Sequence, residues 1–102
     1  MTNTIRTAGF QALIAELVRA RTEAGMTQRD LAEKLGCFPA TVGYIERGQR
    51  RLDVIEVISL AQAIGVSPSR FFSAAMEGVL PEELAGNFSA PPSSRSRKKA
   101  EE

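Results

Sequence analysis

MTQRDLAEKLGCFPATVGYIERG, residues 26–48, carries the clearest helical punctuation in the chain. Thr27 suits a helix N-cap, and Asp30 falls in the first turn, where a carboxylate favours the helix dipole. Leu31, Ala32 and Leu35 then recur at helical spacing and Gly36 stops the run. Pro39 suits the first position of a second helix, Val42 and Ile45 point inward, and Gly48 ends it. The spacing therefore predicts two short amphipathic helices joined by a tight turn.

Helical periodicity continues on both sides. Phe10, Leu13, Ile14, Leu17 and Val18 predict a helix from about Gly9 to Ala24, closed by Gly25 as a left-handed cap. After the loop GQRRL, Asp53 and Glu56 have capping-box spacing. Val54, Val57, Ile58, Ala61 and Ile64 give the next helix its apolar stripe, ended by Gly65. Ser67-Pro68 opens a fifth helix lined by Phe71, Phe72, Ala75 and Met76. A short sixth helix is expected around Pro81, Glu82, Glu83 and Leu84. From Asn87 onward, NFSAPPSSRSRKKAEE lacks the apolar area that offsets ordering entropy and reads as a disordered tail. Strand alternation and internal repeats are not evident. The expectation is an all-α chain: an N-terminal arm over 1–8, one domain over 9–86 with its two-helix unit at 27–47, and a tail over 87–102.

Composition narrows the function classes. The 102 residues suit one small domain, and an apolar fraction of 43% is enough for a packed core. No apolar run is long enough to cross a bilayer, and no secretory signal opens the chain, so a cytoplasmic protein is expected. With no histidine and one cysteine, Cys37, neither a histidine-dependent triad nor a zinc site is expected. Neither an enzyme nor a bound cofactor or metal is indicated. Cys37 reads as a buried, inert thiol between two helices. The net charge of +1 is uninformative, because only the face meeting a polyanion must be basic. Arg47, Arg50 and Arg51 form one basic cluster, and Arg95, Arg97, Lys98 and Lys99 another.

Two helices around a glycine turn form a helix-turn-helix, which places its second helix in the DNA major groove. In register, the chain resembles the Cro and phage-repressor family, also called xenobiotic-response-element-type regulators. The resemblance rests on Arg21, on Met26-Thr27-Gln28 followed by Leu31-Ala32, and on Leu35-Gly36. It continues through Val42, Ile45-Glu46-Arg47-Gly48 and Leu60 to Val66, and covers roughly Phe10 to Phe72. It implies a five-helix, lambda-repressor-like fold and a double-stranded DNA partner. It also implies an internal ion pair between Arg21 and Glu46, and a Gln28 that braces the recognition helix and touches a phosphate, with Arg29 beside it.

By register, the groove-facing residues are Phe38, Pro39, Ala40, Thr41, Gly43, Tyr44 and Arg47. Phe38 stands where a serine or threonine cap is usual, and Pro39 and Ala40 where phage repressors often carry glutamines. Phe38 reads either as a core residue closing the turn or as a base contact. The module then reads a T-rich half-site through methyl contacts, Tyr44 and DNA shape, or it has lost sharp specificity. Arg47, Gln49, Arg50 and Arg51 are expected to meet the sugar-phosphate backbone, giving affinity and salt dependence without sequence information.

Members that read sequence do so as two-fold dimers on half-sites ~34 Å apart. A homodimer contact is expected within 67–86, from Phe71, Phe72, Met76, Val79, Leu80 and Leu84, unless these residues complete the monomer core instead. A small repressor fits best. The alternatives are an antitoxin whose tail occupies a toxin, and an interaction module that kept the fold and lost DNA binding. Either would add a protein partner, a toxin or an antirepressor.

Overall fold

The computed structural model describes residues 4–78. The expected sixth helix, the tail, and the candidate contacts Val79, Leu80 and Leu84 lie outside the described residues, as does the second basic cluster. Five α-helices follow a 3-10 turn at Thr4–Arg6: α1 (Ala8–Glu23), α2 (Gln28–Leu35), α3 (Pro39–Glu46), α4 (Val54–Ile64) and α5 (Pro68–Gly78).

Local chemistry explains the boundaries. Thr27 accepts from the Asp30 backbone N–H at 3.0 Å while Asp30 accepts from the Thr27 N–H at 2.9 Å, a reciprocal capping box. Asp53 and Glu56 repeat that device at α4, at 2.7 and 2.9 Å. Gly36 adopts φ 72°, a conformation that strains L side chains, and the Cys37 N–H turns back to the Ala32 carbonyl at 3.0 Å. This geometry makes the turn between α2 and α3 tight. At α3, Phe38 is in the cap position without a side-chain bond and Pro39 occupies the first turn, as expected.

The N-terminal segment differs from a free arm. Thr7 is buried and caps α1 through its hydroxyl, which accepts from Phe10 N–H at 3.1 Å, so the helix starts at Ala8. Gln11 donates to the Ile5 carbonyl at 2.5 Å, and Ile5 packs on the core. The residues from Thr4 onward are thus part of the domain.

The core joins all five helices. Leu13, Ile14 and Leu17 of α1 meet Leu31 of α2, Val42 and Ile45 of α3, Val57, Leu60 and Ile64 of α4, and Phe71 of α5. α5 lies along α1, where Arg70 bonds Glu16 and, at 2.9 Å, Glu23. Two readings of the α4 and α5 stripes need correction. Val54 is exposed, because the first residue of α4 overhangs the end of the core and Leu52 from the preceding loop packs there instead; Leu60 belongs to the inner face. Phe71 has no exposed surface, so it closes the monomer core and is not available as a dimer contact.

Hydrogen bonds hold several carboxylates below their ordinary pKa: Glu16 through Arg70, Glu56 through Arg50, and Asp30 through the Thr27 backbone. Their folded values lie below the unfolded ones, so the unfolded chain takes up protons first as pH drops. We expect stability to be flat between about pH 6 and 8, where no histidine titrates, and to fall as pH drops below the ordinary carboxylate values of 3.8 to 4.5. Urea midpoints measured across pH check this.

Candidate nucleic-acid interface

α3 is fixed on one side and open on the other. Val42 and Ile45 enter the core. Glu46, one residue on, accepts both forks of Arg21: Nε at 2.5 Å and Nη2 at 2.9 Å. The two side chains are 12% and 6% exposed, and the third Arg21 nitrogen donates to the Met26 carbonyl at 2.7 Å. The guanidinium therefore ties together the end of α1, the loop before α2, and α3. Its pKa is raised above the ordinary arginine value, chiefly by the hydrogen bond it donates to Glu46. Gln28 completes the clamp by donating to Glu46 Oε1 at 2.9 Å. The expected ion pair is thus a buried, bidentate fastening, and Gln28 braces α3 directly.

The opposite side presents Ala40, Tyr44 and Arg47 at helical spacing, with Phe38 and Pro39 leading; all five are exposed. Phe38 is 79% exposed, so it is not a core residue closing the turn. Tyr44 is 53% exposed, and the Arg47 guanidinium lies 5.1 Å from the centre of its ring. This cation–π contact and a 3.3 Å bond from Arg47 Nε to Gln49 hold the end of the stripe.

Two other expected groove residues, Gly43 and Thr41, and one expected backbone contact, Arg50, are placed differently. Gly43 is buried, with a guanidinium nitrogen of Arg47 at 3.2 Å from where a Cβ would stand and Gln28 at 3.9 Å; it gives those side chains room to cross the helix. Thr41 is half-buried on the flank facing α4, where it lines a cavity of about 230 Å³ with Leu35, Cys37, Ile45, Leu52 and Leu60. Cys37 is half-buried there. Arg50 also turns toward α4, donating to Glu56 at 2.7 Å and to its neighbour's carbonyl at 3.2 Å. Its positive charge is largely matched by Glu56. The pairing escaped sequence reading because Glu56 already had a role in the α4 cap, and the two are joined across a loop that carries no helical register.

Arg29, Gln49 and Arg51 are exposed, and Gln49 meets the stripe through Arg47. Each phosphate neutralised lowers the salt slope of binding by about 0.9. Arg51→Ala is accordingly expected to flatten the slope by roughly that amount, and Arg50→Ala by less, because Glu56 already occupies its guanidinium. Titrations of one duplex across a salt series measure both. Among the described residues no helix is long and apolar enough to cross a membrane.

The arrangement matches known proteins. The helix-turn-helix family matches residues 17–71, from the middle of α1 into α5. The uncharacterised HTH-type transcriptional regulator y4dJ of Sinorhizobium fredii (strain NBRC 101917 / NGR234) is 38% identical over 53 residues, 52% of this chain and 69% of that protein. Among solved structures, an XRE-family like protein from Pseudomonas syringae pv. tomato str. DC3000 is 40% identical with a TM-score of 0.65, over 72% of this chain and 90% of the other. The restriction-modification controller protein C.AhdI from Aeromonas hydrophila is 33% identical with a TM-score of 0.56, over 60% and 92%. A braced recognition helix with an open outer stripe, and sequence similarity that runs through it in register, lead to one conclusion: the chain belongs to the Cro/C1-type, or XRE, helix-turn-helix family of DNA-binding transcriptional regulators.

Proposed function

We propose that this regulator is a repressor that binds an inverted-repeat operator as a homodimer, with α3 in the major groove. The observation carrying the reading is the division of α3. One face is locked by the core and by Arg21, Glu46 and Gln28, while Phe38, Pro39, Ala40, Tyr44 and Arg47 are exposed on the other. A rigid helix with an exposed outer stripe is what base contact requires, and the exposed Arg51, Arg29 and Gln49 are available to phosphates. One such module covers little DNA, and two related by a two-fold axis reach half-sites ~34 Å apart.

Phe72, half-buried, and Met76, 75% exposed, remain candidates for the dimer contact on α5; Val79, Leu80 and Leu84 are the sequence's further candidates. A dimer lying over the operator excludes polymerase from it. The similarity to a restriction-modification controller protein favours a regulator of this kind. Footprinting combined with sedimentation of the complex tests the proposal. Protection of two half-sites by two chains, with transcription from the bound promoter reduced, supports it. One chain per site, or a rise in transcription, refutes the corresponding part.

A further inference from the structure

The leading end of α3 carries no side-chain hydrogen-bond donor or acceptor on its exposed face. Phe38, Pro39 and Ala40 are all exposed and all apolar. Thr41, the nearest hydroxyl, lines the cavity against α4, and Tyr44 lies a full turn further on beneath Arg47. Among the described residues Phe38 stands out from the other phenylalanines: Phe10 and Phe71 are buried and Phe72 is half-buried, while Phe38 keeps 79% of its surface in water. The N-terminal residues of a recognition helix are those that meet base edges. On those edges the one apolar group in the major groove of unmodified DNA is the C5-methyl of thymine. 5-Methylcytosine places the same methyl at the same ring position. It differs from thymine in the neighbouring exocyclic group, an amino donor in place of a carbonyl acceptor, and an apolar side chain makes no hydrogen bond that would sense this difference.

We propose that Phe38 reads pyrimidine 5-methyl groups, so that at the base pair it faces 5-methylcytosine replaces thymine and cytosine methylation switches binding on. The proposal rests on α3 entering the major groove, and it adds a chemical class of ligand, C5-methylated DNA, to that reading.

The experiment starts from a duplex that the protein protects. Each thymine in turn is replaced by deoxyuridine, by cytosine paired with guanine, and by 5-methylcytosine paired with guanine. At the pair facing Phe38, deoxyuridine and cytosine are expected to weaken binding about fourfold per half-site, the worth of one buried methyl. 5-Methylcytosine is expected to restore it. In Phe38→Ala the difference between methylated and unmethylated duplexes should collapse, with thermal unfolding unchanged because the side chain is exposed. Phe38→Leu, which keeps an apolar tip, should retain part of it. Equal affinity for all four bases at every position overturns the proposal while leaving DNA binding intact. So does a methyl preference that survives in Phe38→Ala, which would belong to DNA shape. Protection of no duplex at all removes the DNA-docking reading itself and this proposal with it.

Discussion

Phe71→Ala is expected to destabilise the domain by about 3–5 kcal/mol, the cost of a large cavity in a packed core. Phe71 has no exposed surface and sits where α5 closes over α1 and α4. A domain of this size has only on the order of 5–10 kcal/mol in total, so the variant should be near the limit of folding. Its melting temperature should fall by on the order of 20 °C. The fall should be the same at low and high protein concentration, because the lost contacts lie within one chain. Phe72→Ala, at a half-buried site, should cost much less in the isolated chain. Urea and thermal unfolding at two concentrations measure both. A concentration-dependent loss in Phe71→Ala would return that residue to an interface between copies.

Glu46→Ala is the second large effect. It removes the acceptor for both forks of Arg21 and for Gln28 while Arg21 stays mostly covered. Breaking a fully buried pair costs about 3–5 kcal/mol; here some water contact persists, and about 2–3 kcal/mol is expected. Replacing both partners with apolar residues, Arg21→Leu with Glu46→Leu, should recover part of the loss, because no buried charge is then left unpaired. Such a double variant should still bind DNA poorly, since α3 loses the tie to α1 and the α2 entry that sets its orientation. A Glu46→Ala domain as stable as the parent would show that the fastening is ornamental.

What the sequence made legible follows how local each cause is. The Thr27 cap and the Asp53–Glu56 box each lie within one turn, and both form; at Thr27 the structure adds the reciprocal bond to Asp30. Gly36 and Gly48 mark turns through their own backbone angles. The Arg21–Glu46 pair spans 25 residues and came from family resemblance, because no periodicity joins them. Side-chain commitments across loops stayed hidden. Arg50 has the sequence position of a phosphate contact, yet its guanidinium is held by Glu56; Gly43 has the register of a groove-facing residue, yet Arg47 folds back across it. Periodicity also fails at element ends, where Val54 has the core register but no core to meet. Phe38 was ambiguous because exposure of an aromatic is decided by what surrounds the turn, which a pattern of spacing does not contain.

On the proposed function, the outer stripe of α3 is what this regulator reads DNA with. The most direct test is selection of bound fragments from sheared genomic DNA at ~150 mM salt, where non-specific attraction is already screened. The parent chain and Ala40→Glu are run side by side. Ala40 is exposed, so the substitution puts a negative charge on the stripe without disturbing the core. The account predicts an inverted repeat recovered by the parent and lost in Ala40→Glu, with both proteins melting at the same temperature. Recovery of the same repeat by Ala40→Glu would contradict it, since the reading element would then lie elsewhere on the molecule.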